Sequence, residues 1–171
     1  MIKIGSIEAG GTKMVLAVGN GRGEIETREE IATVAPSDCV PQMIEWFRGK
    51  GIDALGIGSF GPTCVDPHND KFGKILETPK LAWKHFDFRG AFTEALGIPV
   101  GYDTDVNAAC LGESLYGAAK GCDQIIYVTV GTGIGVGVMA GGHLLHGMLH
   151  PEAGHRLVKP VAGDVGRSVC P

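Results

Sequence analysis

Two apolar stretches of this sequence each break at a cluster of glycines and then resume. Ile2 to Ile7 is followed by Gly10 and Gly11 before Val15 to Val18, and Ile125 to Val130 is followed by Gly131 to Gly135 before Val136 to Ala140. Each pattern favours a strand, a glycine turn and a second strand. Such turns can direct backbone N–H groups at an anion. The sequence therefore predicts two β-hairpins, each able to hold a phosphate.

The segments between the hairpins alternate between strand and helix patterns. The first helix is expected around Val40 to Phe47, with Pro41 near its start and Gly49 after its end. The other expected elements are strands at Glu24 to Val34, Ala54 to Gly58 and Ile98 to Tyr102, and helices at Phe88 to Leu96 and from Asp103 or Thr104 to about Tyr116. This order predicts an α/β fold with a mixed sheet. Residues 1–117 would form a first lobe and residues 118–171 the start of a second, which the chain is too short to complete.

Composition narrows the class of protein. With 44% hydrophobic and 20% charged residues in 171, the chain can bury a hydrophobic core. Its net charge is -4, so it has no excess of basic residues of the kind that binds nucleic acids. The five cysteines form no C-x-x-C pair, and neither a secretory signal nor a long apolar run is visible. We expect a cytoplasmic protein with reduced thiols that binds neither nucleic acid nor membrane.

The first glycine turn lies in the segment Glu8 to Lys13, where a carboxylate precedes the glycines and a hydroxyl and an ammonium follow them. It is not a Walker A loop, because Gly11 stands where that motif requires Lys. An ordinary tight hairpin is an equally good interpretation of this turn alone. The second turn satisfies the dinucleotide fingerprint formally but is not followed by a helix. Together, the turns suggest two clamps on one polyphosphate.

Between the two turns, Asp103, Asp105 and Asn107 lie where a short strand gives way to a helix. Open α/β sheets bind ligands outside the carboxyl ends of their strands. Helix capping explains Asp103 or Thr104 but not a second carboxylate with an amide nearby. Carboxylates near a phosphate site indicate magnesium binding or proton abstraction, and thus phosphoryl transfer.

Four histidines crowd the region after the second hairpin: His143, His146, His150 and His155. Gly147 and Pro151 oppose a helix there, so the i, i+4 spacing of two of them predicts no zinc motif. A surface role is the favoured interpretation of each histidine alone.

As a set, these segments resemble the ROK sugar kinases, specifically their zinc-containing fructokinase branch. The segments that carry the resemblance are EAGGTK at 8–13, GSFGP at 58–62, DTDVNAACLGE at 103–113, VGTGIGVGV at 130–138 and PEAGH at 151–155. The resemblance spans essentially the whole chain. It implies an actin-like, ribonuclease-H-like ATPase fold, a sugar and ATP as ligands, and Mg²⁺ and Zn²⁺ as metals. Relatives commonly dimerise, so a homodimer is one possible assembly.

The resemblance also implies a role for individual residues. Asp105 would be the general base and Glu8 would lie near the magnesium. The sugar would contact Asp103, Thr104, Glu152, His155 and Gly61. The nucleotide would contact Gly10, Gly11, Thr12, Lys13, Gly131, Thr132 and Gly133. His155 and Cys170 would supply two zinc ligands, fewer than the four a structural site needs.

Two departures from the family pattern bear on the substrate. Glu8 stands where many relatives have Asp, and Thr104 stands where glucokinases have Asn, so fructose is preferred to glucose or mannose. The expected activity is ATP-dependent conversion of D-fructose to fructose 6-phosphate by an enzyme of which this chain is a truncated part. The alternative is a non-catalytic sugar-sensing or assembly module of the same fold, without the DNA-binding segment of ROK repressors, since the first strand begins at Ile2.

Overall fold

A computed structural model describes residues 2–131, 133–147, 153–155 and 158–163. Its strands are β1 (Lys3–Ala9), β2 (Lys13–Asn20), β3 (Ile25–Ala32), β4 (Ala54–Ser59), β5 (Val100–Thr104), β6 (Ile125–Val130), β7 (Ile134–Ala140) and β8 (His143–Leu144). Its α-helices are α1 (Pro36–Phe47), α2 (Phe88–Leu96) and α3 (Asp105–Tyr116). Short 3-10 helices span Leu81–Trp83 and Ala153–His155.

The first five strands form one mixed sheet in the order β3-β2-β1-β4-β5. β2 pairs antiparallel with β1 and β3, whereas β1, β4 and β5 are parallel to one another. Because parallel strands end at the same edge, Glu8, Gly58 and Asp103 lie in register across these three strands. The predicted mixed α/β architecture is confirmed.

One face of this sheet carries the hydrophobic core. Side chains alternate along β1, so that Ile7 is buried while Glu8 points to the opposite, open face. Helices α1 and α2 cover the core face through Phe47 and Phe88, both buried almost completely. The open face carries Glu8 and, at the carboxyl ends of the strands, the groups that can contact a ligand.

The helix α3 lies between this open face and a second sheet of order β6-β7-β8. A Cβ at Gly58 would lie 2.7 Å from the Cβ of Ala108, so the absence of a side chain at position 58 lets α3 approach β4. Gly137 does the same for the second sheet, since its Cβ would lie 2.3 Å from the Val106 carbonyl oxygen. Both sheets are therefore tied to the same helix.

The predicted helix boundaries hold except at one end. Gly97 terminates α2 in the left-handed conformation, with φ of 65°. α1 begins at Pro36, earlier than predicted, and Pro41 lies inside it. The reason is that Pro36 already supplies the φ angle that favours the first turn, so Pro41 is not the residue that starts the helix. Among the described residues, no helix has the length and apolar character needed to cross a membrane.

Candidate active site

The junction of β5 and α3 places two carboxylates at the edge of the sheet. Thr104 caps the helix, its Oγ1 accepting a hydrogen bond of 3.1 Å from the Asn107 backbone N–H. Asp105 is the first helical residue, where the positive end of the helix dipole favours a carboxylate. Asp103 ends up on the open face with Glu8, because their strands are parallel and in register through β4.

Asp105 faces two depressions. The first, of about 720 Å³, lies along the open face of the sheet, and Glu8 and Asp103 also line it. The second, of about 530 Å³, is here called the glycine-turn cleft; Asp105 lines it together with Gly61, Lys80, Gly133 and Ala153. A carboxylate therefore meets one predicted phosphate turn in a single cleft large enough for a sugar hydroxymethyl group and a phosphate.

Asp103 is held by three hydrogen bonds. Its Oδ1 accepts from the Thr104 N–H at 2.7 Å and from Asn107 Nδ2 at 2.9 Å. Its Oδ2 lies 2.7 Å from Nε2 of His146, which follows β8. An ionised carboxylate can only accept, so Nε2 of His146 carries the proton. His146 is exposed, as expected for a surface histidine, but no local signal indicates that Asp103, 43 positions away, is its partner.

Tyr102 anchors this junction from the core side. Its hydroxyl lies 2.6 Å from Oγ1 of Thr63, in the segment that follows the GSFGP motif. Burial raises the pKa of Tyr102 to about 12, so the phenol is neutral at physiological pH. The bond fixes β5 relative to Gly61, whose peptide bond to Pro62 is cis.

The glycines of the two turns divide into two groups. Gly10, Gly135 and Gly137 are explained by packing, since a Cβ would lie within 3.0 Å of Lys13 O, Val106 Cγ1 and Val106 O, respectively. By contrast, no described atom lies within 4 Å of a Cβ built at Gly131 or Gly133, and Gly11 would meet only Lys80 Cε, at 3.8 Å. Neither Gly11 nor Gly131 has a positive φ. Packing in the described residues does not require glycine at any of these three positions.

Two lysines lie at the first turn, the predicted Lys13 and a second one, Lys80. Lys13 begins β2 and its Nζ pairs with Glu30 of β3 at 2.9 Å, a contact that lowers the pKa of Glu30. Lys80, which no motif singled out, donates from Nζ to the Gly11 carbonyl at 2.5 Å. Thr12 adjoins the turn, and its carbonyl accepts from the Thr33 N–H.

The predicted metal ligands are only partly described. Cys170 lies outside the described residues, as do Glu152, which was predicted to contact the sugar, and Thr132, which was predicted to contact the nucleotide. His155 is exposed in its short 3-10 helix. No three His, Cys, Asp or Glu side chains gather into a metal site in the described ranges. Magnesium bound with a nucleotide needs fewer protein ligands, one or two carboxylates beside the phosphates, and Glu8 on the open face is a carboxylate of that kind.

The fold is that of the actin-like ATPases. A glucokinase structure from Streptomyces griseus, solved with glucose and AMPPNP, superposes with a TM-score of 0.71 at 27% identity, over 96% of this chain and 52% of the glucokinase. The sequence model of the ROK family matches residues 4–171, so the chain belongs to the ROK family.

Curated relatives agree with this assignment. The fructokinase of Pediococcus pentosaceus is 44% identical over 168 residues, which are 98% of this chain and 58% of the relative. The fructokinase of Zymomonas mobilis is 42% identical over 157 residues, 88% of this chain and 52% of the relative. The chain thus spans about half the length of these relatives.

Proposed function

We propose that a protein carrying this sequence together with the further length of its relatives (the two-lobed kinase) transfers the γ-phosphoryl group of ATP to a hexose. The observation that carries the proposal is the meeting of Asp105 and Gly133 in the glycine-turn cleft. Among the described residues no atom packs against a Cβ at Gly131 or Gly133, which supports close approach of a phosphate to the backbone.

The chemistry follows from this arrangement. The carboxylate of Asp105 accepts the proton of the attacking sugar hydroxyl, whose oxygen forms a bond to the γ-phosphorus. The bond between that phosphorus and the β,γ-bridging oxygen breaks, and ADP leaves with the electron pair. Magnesium, held by Glu8 and the phosphates, would neutralise charge on the nucleotide. Backbone N–H groups of the glycine turns hold the phosphates without adding side-chain bulk.

The substrate proposed is D-fructose, giving fructose 6-phosphate. Support comes from the two fructokinases at 42 and 44% identity. Gly61 lines the cleft and Asp103 lies beside it, joined to His146. Glu152 and His155 complete the proposed sugar contacts on the second lobe, where Ala153 already lines the cleft.

Several further parts of the proposal rest on the family resemblance. They are a division at residues 117 and 118 between the lobes, a zinc ion bound by His155, Cys170 and ligands beyond this sequence, a homodimer, and a cytoplasmic location. A structural zinc would tie the second lobe together, since such sites need four ligands and contribute directly to folding.

A coupled ADP-release assay on the two-lobed kinase tests the proposal, with fructose, glucose, mannose and no sugar. We expect sugar-dependent ADP release with the largest kcat/KM for fructose. Preference for another hexose would correct the substrate alone. Sugar binding by calorimetry without ADP release would support the sensing module instead.

A further inference from the structure

Lys80 is fixed at the mouth of the glycine-turn cleft by its own backbone. Its N–H lies 3.3 Å from Thr78 Oγ1, and its carbonyl accepts a hydrogen bond of 2.8 Å from the Trp83 N–H. Trp83 is only 2% exposed, and its indole nitrogen donates to the Val34 carbonyl at 2.8 Å. The lysine side chain therefore projects from a main-chain segment that is held against the core.

The ammonium group reaches the first glycine turn. Nζ donates to the Gly11 carbonyl and lies 5.9 Å from the centroid of the Phe60 ring. An ammonium has three N–H donors, so two remain after the bond to Gly11. In the described part of the chain no carboxylate lies within ion-pair distance of this ammonium, whereas Lys84, four residues on, pairs with Glu77 at 2.6 Å.

The charge balance of the cleft calls for such a cation. Asp105 lines the cleft, and Glu8 lies on the neighbouring open face. A cation beside these carboxylates favours the binding of a triphosphate in a site of reduced dielectric. Among the described residues that line the cleft, Lys80 is the one cation. Lys13 pairs with Glu30 and does not line the cleft.

We propose that Lys80 binds the γ-phosphoryl group of the nucleotide and stabilises the negative charge on it during transfer. This inference rests on the proposed function. Lys80 stays protonated throughout: the hydroxyl proton goes to Asp105, and the bridging oxygen leaves with its electron pair as part of ADP. A lysine acts here as a compact point charge, for which the three equatorial oxygens of the transferred group are suitable partners.

The test compares Lys80→Met, which keeps the stem over Phe60, with Lys84→Met as a matched control in the two-lobed kinase. Lys80→Met should lower kcat at saturating ATP and fructose by about 10²-fold or more, the scale of losing one transition-state donor. Fructose affinity and the melting temperature should stay near wild type. Lys80→Arg should recover part of kcat, and Lys84→Met should match wild type.

A binding measurement separates this inference from the proposed function. Measured by calorimetry, Lys80→Met should weaken the binding of a non-hydrolysable ATP analogue much more than the binding of ADP, because only the analogue has a γ-phosphate. Equal losses of affinity for both nucleotides, or a normal kcat, would overturn the inference and leave Lys80 with only a structural role, its hydrogen bond to Gly11. If wild type binds the ATP analogue but phosphorylates no hexose, the proposed function fails while the ATP-to-ADP contrast still decides the role of Lys80. If wild type binds neither nucleotide, both fail. Should Lys80→Met not fold, Lys80→Gln provides the same comparison.

Discussion

Two glycines of the same motif should respond in opposite ways to the same substitution. A methyl group at Gly137 would be placed 2.3 Å from the Val106 carbonyl oxygen, 2.7 Å from its carbon and 3.1 Å from Cys110 Cβ. The first two are backbone atoms, so no rotamer change relieves them, and α3 must move by about 1 Å to reach van der Waals distance. A methyl group at Gly133 would meet no described atom within 4 Å.

The magnitude of the effect at Gly137 follows from two opposing contributions. Overpacking costs about 1–3 kcal/mol, with the upper part of that range expected when backbone must move. Replacing a strand glycine by alanine returns roughly 0.5–1 kcal/mol of chain entropy. Gly137→Ala should therefore destabilise by about 2 kcal/mol net, which corresponds to a fall in Tm of roughly 4–8 °C for a domain of 150–250 residues and to a smaller fall in the longer two-lobed kinase.

Thermal unfolding and nucleotide titration of the two-lobed kinase measure both effects. Gly137→Ala should lower Tm with little change in nucleotide affinity per folded molecule. Gly133→Ala should leave Tm near wild type and weaken nucleotide binding, because the methyl group occupies the space of a phosphate. A fall in Tm for Gly133→Ala equal to that for Gly137→Ala, with unchanged nucleotide affinity, would refute the division of these glycines into packing and ligand positions.

Three further predictions concern the junction of β5 and α3. Replacing Tyr102 by Phe should make the free energy of unfolding less sensitive to alkaline pH. Folding raises the pKa of Tyr102 from 10 to about 12, so the stabilisation from its neutral form is fully present below pH 10. As pH rises from 10 to 12, wild type should lose on the order of 2–3 kcal/mol of stability relative to the variant. A difference in unfolding free energy between wild type and variant, measured with urea, that stays constant from pH 8 to pH 12 would contradict this. A double-mutant cycle of His146→Ala and Asp103→Ala should give a coupling of about 0.5–1 kcal/mol, because the pair is partly exposed; additive changes in stability would mean that the contact contributes nothing. Thr104→Ala should cost about 1 kcal/mol through loss of the N-cap, and Thr104→Ser should retain most of that stability; equal losses would assign the effect to the methyl group.

The elements predictable from sequence were those determined by local pattern. Periodicity and capping predict the end of α2 at Gly97 within a few residues. They also predict the start of α3 near Thr104. The mixed sheet followed from the order of these elements, and the position of Asp103 and Asp105 at the sheet edge followed from the strand-to-helix junction.

The features that escaped prediction depend on contacts between distant residues. Lys80 and Gly11 are 69 positions apart and meet only because the segment after β4 returns across the sheet edge. Lys13, which was predicted to contact the nucleotide, also pairs with Glu30, because the pairing of β2 with β3 brings these two side chains together. Neither the return of that segment nor strand register can be obtained from the spacing of charged residues alone.

The role of Asp105 is tested most directly by Asp105→Asn in the two-lobed kinase, with Glu94→Gln, an exposed carboxylate of α2, as the matched control. Turnover with ATP and fructose is followed by ³¹P NMR, and fructose binding by calorimetry. The amide keeps the shape of the side chain but cannot take the hydroxyl proton, so kcat should fall by about 10²-fold or more while fructose still binds, and Glu94→Gln should behave as wild type. Formation of the sugar phosphate by Asp105→Asn at the wild-type rate would contradict the assignment of Asp105 as the general base.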